Sequence, residues 1–178
     1  LLQEAKCVHE LSGGAFDITV APLMRCWGFA DGEHRVPSPG ELAKTRKCIG
    51  MHLVHLDAKN ITVQFERPGV QVDLGAIGKG FALDIADEIV READITSALI
   101  HGGTSTVCAI GSPPEKDFWK VAIEHPGCEQ PGADIPEYKR IVAVAELNDE
   151  SLSVSAGWGK AFEENGVSYG HVLDPRSG

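Results

Sequence analysis

The chain has 178 residues, 43% of them hydrophobic and 24% charged, with a formal net charge of −10 at neutral pH. That length and balance describe an ordinary globular protein with room for a sizeable core. The acidic excess argues against a general binder of nucleic acid or anionic membrane, since both need a basic surface, and no apolar run approaches the roughly 18 residues of a membrane span.

Leu1, Leu2, Ala5, Val8 and Leu11 recur at helical spacing, and Gly13-Gly14 stops the helix they predict. GAFDITVAPLMRCWGF follows, whose small and aromatic residues predict a buried loop and then a short helix over 22–27. Within it Asp17 stands between Phe16 and Ile18, an acid in an apolar context, which is either a buried cap or a ligand contact. Residues 31–40 are polar and read as a loop. Ser38-Pro39-Gly40-Glu41 has capping-box spacing with proline at the first helical position, which predicts a helix over 39–47.

HLVHLD and NITVQFE, joined at Ala58-Lys59, read as a β-hairpin, and VQVDL as a third strand that ends near Asp73. GAIGKG comes next, with Gly75, Gly78 and Gly80 around Lys79. It has neither the spacing and Ser/Thr of a Walker A loop nor the pattern G-x-G-x-x-G. It is therefore a phosphate cradle of another kind, or a tight strand-to-helix turn. In the helix after it, Ile77, Phe81, Ile85 and Ile89 recur every four residues and predict one buried stripe.

SALIHGG, TVCAIGS, WKVAIEHP, RIVAVAEL and SLSVSA are five further strand candidates, with a Pro/Gly-rich loop over 126–136. WGKAFEENG reads as a short helix and VSYGHVLDP as a last strand. There is no internal repeat and no low-complexity tract. Helices, a hairpin, a helix and then mostly strands predict an α+β fold rather than a regular βαβ alternation. The five cysteines lie far apart with no C-x-x-C pair, which disfavours a zinc site, and their odd number disfavours a complete disulfide framework.

Two other stretches carry candidate chemistry. In HGGTSTVCAIGS, Gly102-Gly103 permit close approach of a ligand and the hydroxyls offer donors, but Ser105 with His101 lacks the strand–elbow pattern of a hydrolase. In SYGHVLDPRSG, His171 and Asp174 are three apart on an extended segment, so they face opposite sides unless a bend intervenes. Asp174-Pro175 and Ser177-Gly178 are turn chemistry. His171 is either structural or a general base.

These four stretches, in this order, resemble the ApbE family. GAFDITVAPLMRCWGF is similar to its GxFDxTVxPLxxxWGF segment, and VDLGAIGKGFALDIA to DLGGIAKGYAVD. SALIHGGTSTVCAIGS with WKVAIEHP resembles its Gly-Gly and Trp-containing region, and SYGHVLDPRSG its H-I-x-D-P-x-T-G signature. The likeness runs from about residue 10 to residue 178. Differences fall at Thr104, where many relatives have Asp or Asn, at Val154 for threonine, at Ala156 for glycine and at Ser177 for threonine, as in a divergent subgroup.

The resemblance implies an α+β, T-fold-like architecture of mixed and antiparallel sheets with packed helices. It implies a FAD:protein FMN transferase, which cleaves FAD with Mg²⁺, passes FMN to a threonine or serine hydroxyl of a partner flavoprotein and releases AMP. FAD pyrophosphatase activity and FAD binding without catalysis are the alternatives. By matching position, Ala15, Phe16, Asp17 and Asp73 are expected to bind FAD. Lys79 is expected beside the pyrophosphate, Leu173 at the flavin, the Ala76 carbonyl on the metal, and His171 as the base for the attacking hydroxyl.

The acceptor implied is a flavoprotein subunit of a membrane redox complex, and the place implied is the bacterial envelope. The chain reads as one ApbE-like domain over 1–178. It opens inside a helical pattern and stops inside a turn, so both ends are expected to be cut, with the remaining metal ligands downstream.

Overall fold

A computed structural model describes residues 1–30, 32–129, 134–155 and 161–178. In chain order the elements are α1 (Leu2–Leu11), α2 (Ala21–Cys26), α3 (Pro39–Thr45), β1 (Val54–Asp57), β2 (Thr62–Phe65) and α4 (Gly78–Glu92). Then come β3 (Ala98–His101), β4 (Thr106–Ile110), β5 (Trp119–Glu124), β6 (Ile141–Leu147), β7 (Ser151–Ser153), β8 (Ala161–Glu164) and β9 (Val167–Gly170). Helices and antiparallel sheets are mixed without βαβ alternation, which is the expected α+β class. The chain divides into two compact units, Leu1–Ile77 with Lys160–Gly178, and Gly78–Gly159.

The first unit is built on two apolar clusters. Ala5 from α1, Ile18, Met51, Leu53, Val54 and Val70 form one, with Phe16, Val72, Leu74 and Ile77 packed against it. Leu23 and Trp27 join Phe29 and Ile49 in the other, covered by Phe162, Tyr169 and Leu173. Local rules explain several of its elements. Ser38 Oγ accepts the Glu41 N–H and the Glu41 carboxylate accepts the Ser38 N–H, so the capping box that starts α3 is complete. The β1–β2 hairpin pairs Val54 with Phe65 through Asp57 with Thr62, as the sequence leads one to expect.

Two expectations for this unit are corrected. Residues 70–74 belong to no strand: Val72 and Leu74 pack on the first cluster, and the Asp73 N–H donates to the Ile18 carbonyl at 2.6 Å, yet among the described residues no neighbouring strand forms a ladder with them. Apolar alternation signals burial, but a strand also requires a partner edge. The helix expected over 158–166 is, from Ala161, strand β8, paired antiparallel with β9; residues 158–160 lie outside the described residues. Asn165 and Gly166, at φ 53° and 76°, make the two-residue loop between Glu164 and Val167. Asn-Gly at positive φ is a strong hairpin signal and overrides the helix-like spacing before it.

In the second unit β4 is the central strand, between β3 and β7, and all five of its residues are buried. β5 and β6 form a separate antiparallel ribbon. Helix α4 packs on β4 and β3. The stripe expected over Ile77, Phe81, Ile85 and Ile89 is not the buried one: Ile85 is 43% and Ile89 61% exposed, whereas Leu83 is 7% exposed. Leu83, Ala86, Asp87 and Val90, at i, i+3, i+4 and i+7, form the better covered face. An i+4 count cannot choose between two such faces. The sheet chooses, with the Cys108 thiol 3.8 Å from Asp87 Oδ1.

Candidate functional site

The acid of the first unit that stands between Phe16 and Ile18 is a cap. Asp17 is 7% exposed, and its Oδ1 accepts from the Thr19 N–H at 2.8 Å and the Thr19 hydroxyl at 2.5 Å, which starts the 3-10 turn Ile18–Val20. The Thr19 hydroxyl oxygen in turn accepts the Gly50 N–H at 2.7 Å. His9 on α1 closes the set: its Nδ1 lies 2.9 Å from the Phe16 carbonyl and 3.3 Å from Asp17 Oδ2. Both neighbours are acceptors, so Nδ1 carries a hydrogen. The Phe16 N–H donates to Ser12 Oγ at 3.0 Å, which leaves the 15–17 backbone tied at both sides and Ala15 exposed.

Asp73 is tied to the same segment through its N–H on Ile18. Its Oδ1 accepts the Gly75 N–H at 2.7 Å, and a Cβ on Gly75 would sit 3.0 Å from that oxygen, so a side chain there would push the carboxylate aside by a few tenths of an ångström. Ala76 follows, exposed. At the other end of the unit, β9 stops at Gly170 and the chain bends at His171, so the extended-strand rule for His171 and Asp174 does not apply. The His171 ring stands edge-on to Phe29, centroids 6.4 Å apart, and Leu173 packs in the cluster of Leu23, Trp27 and Phe29.

The D-P-R-S-G turn is held by Asp174, whose carboxylate accepts the Arg176 N–H and two guanidinium N–H groups, each at 2.9 Å. The Arg176 guanidinium, helped by the Arg176 backbone N–H, lowers the Asp174 carboxyl to about 2. The Gly178 N–H donates to the Asp174 carbonyl at 2.8 Å. Asp174 is thus occupied in shaping its own turn.

In the second unit Lys79 is the second residue of α4 and exposed. Its ammonium donates to Ser105 Oγ in the β3–β4 turn. The Gly102 N–H donates to the Thr106 carbonyl at 2.8 Å and the Val154 N–H to the Ser105 carbonyl at 2.8 Å, which pins that turn to the sheet. Thr104 is exposed, and Ala156 lies outside the described residues.

His9 and the Lys79–Ser105 pair are absent from the sequence expectations. Both are long-range partnerships of common polar residues, and neither leaves a local spacing signal. Among the described residues no group of three or more His, Cys, Asp or Glu is placed to hold an ion. The Asp17 carboxylate and Asp73 Oδ1 already accept protein donors, and Ala76 offers one carbonyl. These residues alone do not make the oxygen cage a hard cation wants. Among the described residues no helix is long and apolar enough to cross a membrane.

Fold and site together define an α+β protein in which several ligand-type segments are shaped by capping carboxylates. The chain belongs to the ApbE family, whose profile matches residues 1–178. The FAD:protein FMN transferase of Haemophilus influenzae is 30% identical over 182 residues, an alignment that covers 100% of this chain and 50% of the relative. That of Vibrio cholerae is 28% identical over 180 residues, covering 100% of this chain and 51% of the relative. Among solved structures, the ApbE protein of Thermotoga maritima matches with a TM-score of 0.82 and 31% identity, over 99% of this chain and 54% of that one. The apo flavinyl transferase ApbE of Pseudomonas stutzeri matches with a TM-score of 0.79 and 28% identity, over 99% and 51%. The chain spans about half the length of the curated relatives it matches.

Proposed function

We propose that the protein to which this chain belongs transfers FMN from FAD to a serine or threonine hydroxyl of a partner flavoprotein. The observation that carries this reading is the family match over every residue of the chain, together with relatives named FAD:protein FMN transferase. In the reaction, the acceptor hydroxyl oxygen attacks the FMN phosphorus and the P–O bond to the AMP phosphate breaks. AMP leaves with the electron pair, and the hydroxyl proton passes to a base.

His171 is the proposed base. Its half-buried ring, braced edge-on by Phe29 at the end of β9, supports an oriented imidazole, and a positioned general base contributes about 10²–10⁴-fold. Ala15, Phe16, Asp17, Asp73 and Leu173 are the proposed flavin-nucleotide contacts of the first unit. The tied backbone of 15–17 and the Asp73–Gly75 turn support pre-organised loops rather than free carboxylates. Lys79 is the proposed cation for the diphosphate, supported by its exposure and its place in the first turn of α4.

The Mg²⁺ requirement, with the Ala76 carbonyl as one ligand, rests on the resemblance of GAIGKG. An acceptor in a membrane redox complex and a place in the bacterial envelope belong to the same proposal.

The test mixes full-length protein, FAD, Mg²⁺ and a peptide with a central Ser or Thr. A fluorescent peptide band with equimolar AMP is expected. AMP and free FMN without labelled peptide would favour the pyrophosphatase reading, and FAD binding without AMP, whatever metal is added, a non-catalytic flavin binder.

A further inference from the structure

We propose that Ser105 is the positioning residue for Lys79: it holds the ammonium in place with a neutral acceptor, so that the charge stays available to an anionic substrate. The pair lies within the second unit, with the Lys79 ammonium donating to Ser105 Oγ across 26 positions of sequence. Lysine carries a flexible four-carbon stem with many rotamers to lose. A lysine that must find its place as substrate binds loses that entropy then; one already held does not.

Ser105 is suited to the holding. Its carbonyl accepts the Val154 N–H at 2.8 Å, and the Gly102–Thr106 bond closes the turn around it. The next residue, Thr106, is buried, with its hydroxyl 3.3 Å from that of Ser153. The backbone under the hydroxyl is therefore anchored to the β3–β4–β7 sheet at the start of β4, while the lysine comes from α4, which packs on that sheet.

The acceptor's neutrality matters as much as its position. In a chain of net charge −10, carboxylates are the common partners for a cation, and Arg91 is held by two of them, Asp87 and Asp149. Among the described residues Lys79 pairs with none, only with a hydroxyl. A hydroxyl orients an ammonium and leaves its charge whole, whereas a carboxylate would cancel it and repel a phosphate.

The substrate in this proposal, a dinucleotide diphosphate, rests on the flavin-transfer reading; the Lys79–Ser105 pairing does not. The full-length protein is labelled with ¹⁵N, and the order parameter of the Lys79 ammonium, assigned by its loss in Lys79→Ala, is measured in wild type, Ser105→Ala and Ser105→Thr. Ser105→Ala is expected to mobilise the ammonium, and Ser105→Thr to restore it, at unchanged melting temperature. In kinetics, kcat/KM for FAD is expected to fall about tenfold in Ser105→Ala, more in Lys79→Ala, and no further in the double variant, because one residue acts through the other.

Ser105→Asp is expected to lose at least as much as Lys79→Ala. An unchanged order parameter in Ser105→Ala, losses that multiply in the double variant, or full activity in Ser105→Asp would each overturn the proposal. Altered ammonium mobility with no FAD turnover in the wild type would instead uphold the pairing and overturn the flavin-transfer reading.

Discussion

Asp17 separates two roles that a sequence cannot tell apart, and its replacement shows which dominates. In Asp17→Ala the Thr19 N–H and hydroxyl lose their acceptor inside a site where Asp17 is 7% exposed, and His9 loses one of its two. A hydrogen bond to a charged group is worth about 1.5–3 kcal/mol, and loss of an N-cap costs about 1 kcal/mol. The contributions overlap, because the Thr19 N–H bond is the cap, so about 3 kcal/mol is the expected loss. For a chain of this size that lowers the melting temperature by about 6–12 °C.

Asp17→Asn keeps an acceptor of the same shape for the Thr19 N–H and is expected to cost about 1 kcal/mol. The assay is urea unfolding of the flavin-free protein followed by tryptophan fluorescence, with FAD binding measured separately on each variant. A midpoint for Asp17→Ala equal to wild type would refute the buried-cap reasoning, and the acid would then serve a ligand alone. Stability lost in Asp17→Ala and largely kept in Asp17→Asn, with FAD affinity lowered in both, is the pattern of one carboxylate serving both purposes.

Leu23→Ala, at a fully buried side chain in the Trp27–Phe29 cluster, is expected to cost about 2–5 kcal/mol, read as a lower urea midpoint. His171→Ala is expected to lower transfer to peptide at least 100-fold while FAD binding survives; loss of binding, measured by flavin fluorescence quenching, would move His171 from base to ligand contact. Glu41 is lowered to about 2, first by the Arg35 guanidinium and then by the Ser38 N–H, and Asp174 to about 2 by Arg176. A carboxylate whose folded value lies below its unfolded one stabilises above the unfolded value, so both contributions are present at neutral pH and vanish as pH falls from about 4 to about 2. Urea midpoints measured across that window are expected to fall less steeply in Glu41→Gln than in wild type.

Much of the fold was legible because its causes are local. A capping box lies within four residues, and Ser38 to Glu41 starts α3 as read. The β1–β2 hairpin and five later strands follow from apolar alternation between turns. The Asp17 and Asp174 segments could be singled out because an acid beside apolar or turn residues must find a partner. Asn165-Gly166 is a local hairpin signal too, and it outweighs the helix-like spacing before it.

What the tertiary structure decided is partnership at a distance. VQVDL has the composition of a strand but no ladder partner among the described residues, and its apolar side chains pack on the core instead. Helix α4 offers two apolar faces at helical spacing, and contact with the sheet selects the one with Leu83 over the one with Ile85 and Ile89. His9 meets Asp17, and Lys79 meets Ser105, only after helices and turns have been brought together. Hydrogen bonds along a few residues depend on backbone geometry that composition biases directly. Those between distant residues depend on the summed packing of the whole chain, which no short window of sequence contains.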